Sequence, residues 1–250
     1  MEKRDNKLLE NSPLLTNDAP FAYAEAFKTL RTNLSFASIS KQYKKIIITS
    51  AIPNEGKSTV AVNLAITLAE SDAKVLLIDC DLRNPTLRRL LRVRREYTAG
   101  LTSVLTNEDA AEKCIFRHPK INCDVLLAGA TPPNPVELLS SPQMKDLLDR
   151  LSKEYDYIIC DTPPVSIVTD AAALSRFCDG VILVVRQKVS TRDQVWAAKR
   201  NLDAVQANVI GTILSCYDMS NDTSASSPYY GGYYHYGSSD TKKKRKKWYD

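Results

Sequence analysis

No apolar run in these 250 residues approaches the roughly 20 needed to span a bilayer, so no membrane-crossing helix is expected. The opening stretch, Met1 to Lys7, leads into no signal-peptide core. The six cysteines (80, 114, 123, 160, 178 and 216) show no C-x-x-C spacing, which argues against a metal or dithiol centre. Cys80 and Cys160 instead lie inside apolar strand-like runs, the pattern of buried reduced thiols in a cytoplasmic protein. An excess of one charge is also missing from most of the chain. The formal net charge is +5, and residues 242–250, with six basic side chains and one acidic, account for all of it. The remaining body is neutral, so it offers no global attraction for nucleic acid and no nucleic-acid partner is expected.

What is present suits one large α/β domain. The chain is long enough for a sizeable core, and 44% of its residues are apolar. Apolar, β-branched runs recur at residues 46–49, 75–79, 124–127, 157–161, 180–185 and 209–214. Helical patterns lie between most of them, at 57–69, 142–153, 170–176 and 191–206. Near-continuous apolar strands alternating with helices predict a mainly parallel sheet covered on both faces, with right-handed crossovers. A further helix is expected from Pro20 to Ser38. Tyr23, Phe27, Leu30, Leu34 and Phe36 supply its apolar positions, with Glu25, Lys28 and Arg31 on another face. Residues 92–109 read as a surface loop with short helical pieces, and 128–142 as a proline-rich loop with one helical turn. The expected organisation is a flexible N-terminal segment (1–19), a folded domain (20–217) and a flexible tail (218–250).

The stretch Ile46-Ile-Ile-Thr-Ser-Ala-Ile-Pro-Asn-Glu-Gly-Lys-Ser-Thr59 carries the most chemistry. An apolar strand runs into a tight turn, and the turn opens onto Gly56-Lys57-Ser58-Thr59 and a helix. Strand, loop and helix N-terminus form a phosphate cradle. Backbone N–H groups of Pro53–Thr59 other than the proline face inward, the helix dipole favours anions, Lys57 adds a point charge and Ser58 offers a hydroxyl to Mg2+. Ala51 stands where the usual pattern has its first Gly. A plain helix-capping turn is the other reading; the strand before it and the helix after it favour phosphate. Two other strands end in acid: Val75-Leu-Leu-Ile-Asp79-Cys-Asp81 and Tyr157-Ile-Ile-Cys-Asp161. Ligands of an open parallel sheet sit beyond the carboxyl ends of its strands, so Asp79, Asp81 and Asp161 should surround the β- and γ-phosphates and hold Mg2+ directly or through water. Any one of them alone would read better as a helix N-cap; three converging on a phosphate loop favour function.

The tail concentrates tyrosine. Tyr229, Tyr230, Tyr233, Tyr234 and Tyr236 fall within nine residues, and Tyr249 follows. The segment has no packing period, which makes it either low-complexity adhesive sequence or a set of phosphoacceptors. If residues 209–214 are a parallel strand, the tail leaves on the nucleotide edge. The 13 residues between Ser215 and Tyr229 reach about 20 Å as a flexible linker, enough for its own site or a neighbour's. The basic run Lys242–Lys247 is either a solvated terminus or a contact for an anionic surface that phosphorylation would release.

These motifs together resemble the bacterial tyrosine kinases (BY-kinases), in particular the cytoplasmic kinase half that serves capsular and exopolysaccharide synthesis. The resemblance runs from about Ala24 to Tyr249. Ala51–Thr59 matches Walker A, Ile78-Asp-Cys-Asp-Leu-Arg83 matches Walker A′, and Ile158-Ile-Cys-Asp-Thr-Pro-Pro164 matches Walker B. Gly129–Leu139 resembles a family-specific segment. The family's E-x-x-R-x-x-R reads Glu25-x-x-Lys28-x-x-Arg31 here, and Ser215 stands where the last strand often ends in Asn. The resemblance implies a P-loop NTPase fold, ATP and Mg2+ as cofactors, and autophosphorylation of the tail tyrosines. Lys57 and Mg2+ would neutralise phosphate charge, Asp81 would accept the phenol proton, and Ser58, Asp79 and Asp161 would serve the metal. It further implies a ring of subunits contacting through Glu25, Lys28 and Arg31, a membrane-spanning activator protein that recruits the kinase to the inner face of the membrane, and an opposing protein-tyrosine phosphatase. The competing reading is a partition or septum-positioning ATPase. Those relatives carry a second Lys near the start of the P-loop, where this chain has Ala51-Ile52-Pro53, and they lack a Tyr cluster.

Overall fold

The computed structural model describes residues 14–15, 19–39, 41–94 and 98–217. Seven strands form one sheet: β1 (Lys45–Ser50), β2 (Val75–Asp79), β3 (Ile115–His118), β4 (Cys123–Leu126), β5 (Tyr157–Asp161), β6 (Gly180–Arg186) and β7 (Val209–Ser215). Their order across the sheet is β3-β4-β2-β5-β1-β6-β7. Every neighbouring pair is parallel except β3 with β4, where Ile115 faces Leu126 and His118 faces Cys123. The six anticipated strands are all present. β3 was not anticipated, because Ile-Phe-Arg-His is too short to show a period; the turn at Asn122, in the left-handed region at φ 47°, folds it back onto β4.

The helices are α1 (Phe21–Ala37), α2 (Lys57–Ala69), α3 (Leu87–Leu90), α4 (Leu101–Leu105), α5 (Ala111–Cys114), α6 (Pro135–Leu139), α7 (Pro142–Leu151), α8 (Asp170–Leu174) and α9 (Arg192–Ala204). A short 3-10 turn, Ser175–Phe177, extends α8. Successive strand residues point to opposite layers. Ile46 and Ile48 join Leu77, Ile159 and Ile182 beneath α1 and α2. Ile47 joins Leu76, Ile78, Ile158 and Cys160 against α4, α6, α7, α8 and α9. Both layers are closed, which explains why the central strands read as unbroken apolar runs rather than as alternation.

Two expectations need correction. Residues 92–109 are not simply a surface loop: Leu101, Thr102, Ser103 and Leu105 of α4 are buried. The backbone N–H groups of Leu101 and Thr102 donate to Leu127 O (2.7 Å) and Ala128 O (2.9 Å), which ties this turn to the chain leaving β4. Phe36 does not belong to the apolar stripe of α1. Phe27 and Leu34 are buried, but Phe36 lies two residues past Leu34, on the opposite side of a 3.6-residue turn, and is 67% exposed. Within the N-terminal segment assigned to 1–19, Leu15 is buried in the α2 layer and its N–H donates to Asn63 Oδ1 at 2.8 Å. The tail, with Tyr229, Tyr230, Tyr233, Tyr234, Tyr236, Tyr249 and the basic run, lies outside the described residues.

The fold tolerates no side chain at Gly100. A Cβ there would stand 2.4 Å from Leu127 O and 2.5 Å from Gly129 N, both backbone atoms that cannot swing away. Gly100→Ala is therefore expected to cost roughly 2–4 kcal/mol in urea denaturation. A loss below about 0.5 kcal/mol would show that this crossing is loose.

Candidate nucleotide and phosphoryl-transfer site

β1 delivers its chain into the loop 51–56, and α2 begins at Lys57. Gly56 caps α2 with φ 88°, a conformation that only glycine adopts without strain. Ala51 is buried, and its φ is not positive, so this position needs no glycine; that accounts for the departure from the usual pattern. Glu55 holds the loop's shape from inside. Its buried carboxylate accepts from Ile52 N–H (2.7 Å), Arg186 N–H (3.0 Å) and the Ser190 hydroxyl. Its backbone carbonyl accepts from Ser215 Oγ at 2.6 Å. Glu55 thus contributes its side chain to the loop's architecture and leaves its backbone N–H for a phosphate. Pro53 and Asn54 are exposed at the loop's tip.

The acidic residues converge as expected. Asp79 and Asp161 are register partners on adjacent strands, and Ile48 of the P-loop strand is the other partner of Asp161. Lys57 Nζ lies 3.1 Å from Asp81 Oδ2, 3.8 Å from Asp161 Oδ1 and 3.3 Å from Ser58 Oγ. Asp81 Oδ1 accepts from Asn84 N–H at 3.0 Å, which closes the turn after β2. Asp79 accepts from Asp81 N–H and Leu87 N–H, both at 3.2 Å, so its oxygens shape the same turn and the start of α3. Asp161 differs from both. Its two buried oxygens have no hydrogen-bond partner.

Three carboxylates and one ammonium share this desolvated space, so negative charge is in excess. Burial pushes the Asp79 carboxyl well above its ordinary range, and the nearby Asp161 adds to the push. Burial also raises Asp161, against the pull of Lys57. For Lys57 burial works downward, but Asp161 and Asp81 outweigh it and hold the ammonium above its ordinary value. The donor set fits a hard divalent cation. Asp161 presents orphaned acceptors, and Ser58 presents a hydroxyl that already accepts from Thr86 Oγ1 at 2.8 Å. Among the described residues no three His, Cys, Asp or Glu side chains form a metal cage. Mg2+ needs none, because it keeps waters and phosphate oxygens in its shell.

Several supporting residues carried no readable signal in the sequence. Thr86 reaches Ser58 only because α3 starts beside α2. Arg83 donates from Nε to both oxygens of buried Asp170 (3.1 and 3.2 Å), which bridges the turn after β2 to α8, 87 residues later. Ser190, Arg186 and Ser215 meet Glu55 from β6, β7 and the loop after β6. The Glu25, Lys28 and Arg31 face is not gathered into this site. Lys28 pairs with Glu25 at 2.7 Å, and Arg31 Nη1 donates to Thr67 O at 2.8 Å, near the C-terminal end of α2. A cleft of about 510 Å3 at the opposite edge of the sheet, lined by Lys74, Arg117, Asp124, Lys153, Glu154 and Tyr155, takes no part in the constellation.

Comparison with known proteins places this geometry. A family described as an AAA domain matches residues 43–210. Tyrosine-protein kinase YwqD of Bacillus subtilis is 39% identical over 215 residues, 86% of this chain and 90% of that protein. Tyrosine-protein kinase etk of Escherichia coli is 38% identical over 82% of this chain, which spans 28% of that longer protein. The solved kinase domain of that enzyme superposes with TM-score 0.74 at 35% identity, covering 82% of each chain. The septum site-determining protein MinD of Pyrococcus horikoshii, solved with Mg-ADP, is more distant: TM-score 0.58 and 26% identity over 68% of this chain and 69% of that one.

The raised carboxyls give a sign for pH dependence. Between the ordinary carboxylate range and the raised values, the folded protein retains protons that the unfolded chain has released. These groups therefore favour the fold as pH falls through that window and weaken it as pH rises. Asp161→Asn, measured without nucleotide, is expected to raise stability at pH 7 by about 1 kcal/mol and to flatten the loss as pH rises above the ordinary carboxylate range. The same variant should lose most of the stabilisation that Mg2+ with ATP gives the parent. A lower melting temperature for the variant at pH 7 without nucleotide would contradict this account of the pocket.

Proposed function

The chain belongs to the bacterial protein-tyrosine kinase family, and we propose that it transfers the γ-phosphoryl group of ATP to the tyrosines of its own C-terminal tail. One observation carries the reading. Lys57, Asp79, Asp81 and Asp161 meet at one sheet edge, and β7 ends against that same P-loop, at Ser215, 13 residues before Tyr229.

The residues divide the work by position. Backbone N–H groups of the loop 54–59 and the α2 N-terminus bind the phosphates. Lys57 leaves its carboxylate partners to neutralise β- and γ-oxygens, where charge accumulates in a loose transition state. Ser58 and Asp161 would hold Mg2+, which would supply neutralisation of the phosphate charge there; Asp79 fixes the turn from which Asp81 projects. Tyrosine titrates near 10, so its hydroxyl arrives protonated at pH 7. Asp81 orients that hydroxyl and takes its proton as the phenol oxygen bonds to the γ-phosphorus and the bond to the ADP oxygen breaks. Burial and hydrogen bonds on both of its oxygens keep Asp81 in place for this.

Family membership also supports the wider reading. The kinase regulates the synthesis and export of capsular or extracellular polysaccharide, assembles as a ring through the α1 face bearing Glu25, Lys28 and Arg31, and is reset by a protein-tyrosine phosphatase. No described helix is long and apolar enough to cross a membrane. A membrane-spanning activator supplies attachment at the inner face, a reading that rests on family membership. The septum-positioning type of ATPase switch is a weaker alternative, given the lower identity of MinD and the Tyr cluster here.

Incubation with ATP and Mg2+ followed by phosphotyrosine mapping tests the reading. Lys57→Met should abolish tail labelling, by at least about a hundredfold for lost charge stabilisation in a desolvated site, with the fold intact by circular dichroism. Replacing Tyr229, Tyr230, Tyr233, Tyr234 and Tyr236 by Phe should remove most incorporated phosphate. ATP hydrolysis with no phosphotyrosine would favour the switch instead.

A further inference from the structure

Residues 83–94 contain five arginines and no acidic residue, in a body that is neutral only when they are counted. Arg83, Arg89, Arg92 and Arg94 are exposed and Arg88 is half-buried. The segment is folded back on itself. Val93 N–H donates to Arg88 O (2.9 Å) and Arg92 N–H to Arg89 O (3.1 Å), the paired bonds that end a helix in a Schellman motif. Arg88 Nη1 donates to Arg94 O at 2.8 Å. Four guanidinium-bearing residues are thereby held within about one turn of α3. The residue at the left-handed position of this motif is Arg92, at φ 55°, where glycine would be free of strain. A long cationic side chain is kept where backbone geometry favours none.

This turn adjoins the transfer site. Leu87 N–H, at the start of α3, donates to Asp79, and Thr86 Oγ1 donates to Ser58. We propose that the arginine turn 88–94 is the docking surface for the tyrosine cluster of the tail once that cluster carries phosphates. The proposal rests on the kinase reading and names what happens to its product. Residues 228–236 hold no Lys, Arg, Asp or Glu, so the unmodified cluster offers the turn no charge to grip, and Lys242–Lys247 are repelled by it. Each phosphate adds about −1.5 to −2 and three acceptor oxygens, which Arg binds in bidentate fashion. A phosphorylated tyrosine leaving the transfer site is thus captured beside it, which keeps the next tyrosine of the cluster within reach.

The test uses the full chain carrying Lys57→Met, so that its own tail stays unmodified. Three synthetic peptides of residues 226–238 are compared by fluorescence anisotropy: all five tyrosines phosphorylated, all unmodified, and all replaced by Glu. The phosphopeptide alone should bind, and its affinity should fall steeply with salt. Adding Arg92→Gly should weaken binding about fivefold, and Arg89→Ala, Arg92→Gly and Arg94→Ala together more than twentyfold, as charge-assisted bonds are lost. The melting temperature of Arg92→Gly should equal or exceed that of its parent, because glycine suits the left-handed position. Equal binding of the Glu peptide, or phosphopeptide binding untouched by the triple replacement, would overturn the proposal. Because the peptide is synthetic and the protein inactive, a failure of tail autophosphorylation would not alter this result. Normal tail labelling in the wild type with no phosphopeptide binding would remove the docking surface and leave the kinase.

Discussion

The contact between Lys57 and the carboxylates of Asp81 and Asp161 is the interaction on which the rest of the site depends. One ammonium cannot balance three desolvated carboxylates, so the pocket carries stored repulsion. That imbalance makes the pocket costly for the folded chain and receptive to a divalent cation. It also explains why Asp161 keeps two buried oxygens that accept no hydrogen bond, with Lys57 nearby as an ion-pair partner: satisfying them internally would remove the acceptors a metal needs. Stability is given up locally and recovered when the pocket is filled.

The fold's task is to bring together groups that are distant in sequence without letting them collapse onto one another. Parallel pairing of β1, β5 and β2 sets Lys57, Asp161 and Asp79 side by side at the carboxyl edge. Two closed apolar layers keep those strands in register, because a one-residue slip would exchange every side chain between layers. The loop itself is braced by Glu55, which gathers β6, the loop after it and the end of β7 around the phosphate cradle. The origin of the tail is thereby fixed against the P-loop. In the proposed reaction this, together with the arginine turn that follows Thr86, gives the tyrosine cluster a place to react and a basic place to rest.

Much of this was legible residue by residue. The P-loop, the two acidic strand ends and six of the seven strands follow from local pattern, because a strand buried on both faces must be apolar throughout and a phosphate loop must be strand, turn and helix in succession. The membership of Leu101–Leu105 in the core was not legible, since a five-residue turn has no period to show. Nor was β3, whose pairing depends on the turn before β4. Phe36 misled by being apolar near a helical stripe without lying on it.

By itself, then, the sequence determined the class of fold, the phosphate loop, the acids that serve it and the tyrosines that follow, because each is written in residues adjacent along the chain. The tertiary structure alone decided which of those acids keep free oxygens. It also decided that the Glu55 side chain braces the loop, that Arg83 is held by Asp170, and that an arginine occupies the left-handed position of a turn beside the site. The physical reason is separation. Hydrogen bonds and ion pairs between residues dozens of positions apart leave no trace in local composition, and they come into being only when strands far apart in the chain lie next to one another in the sheet.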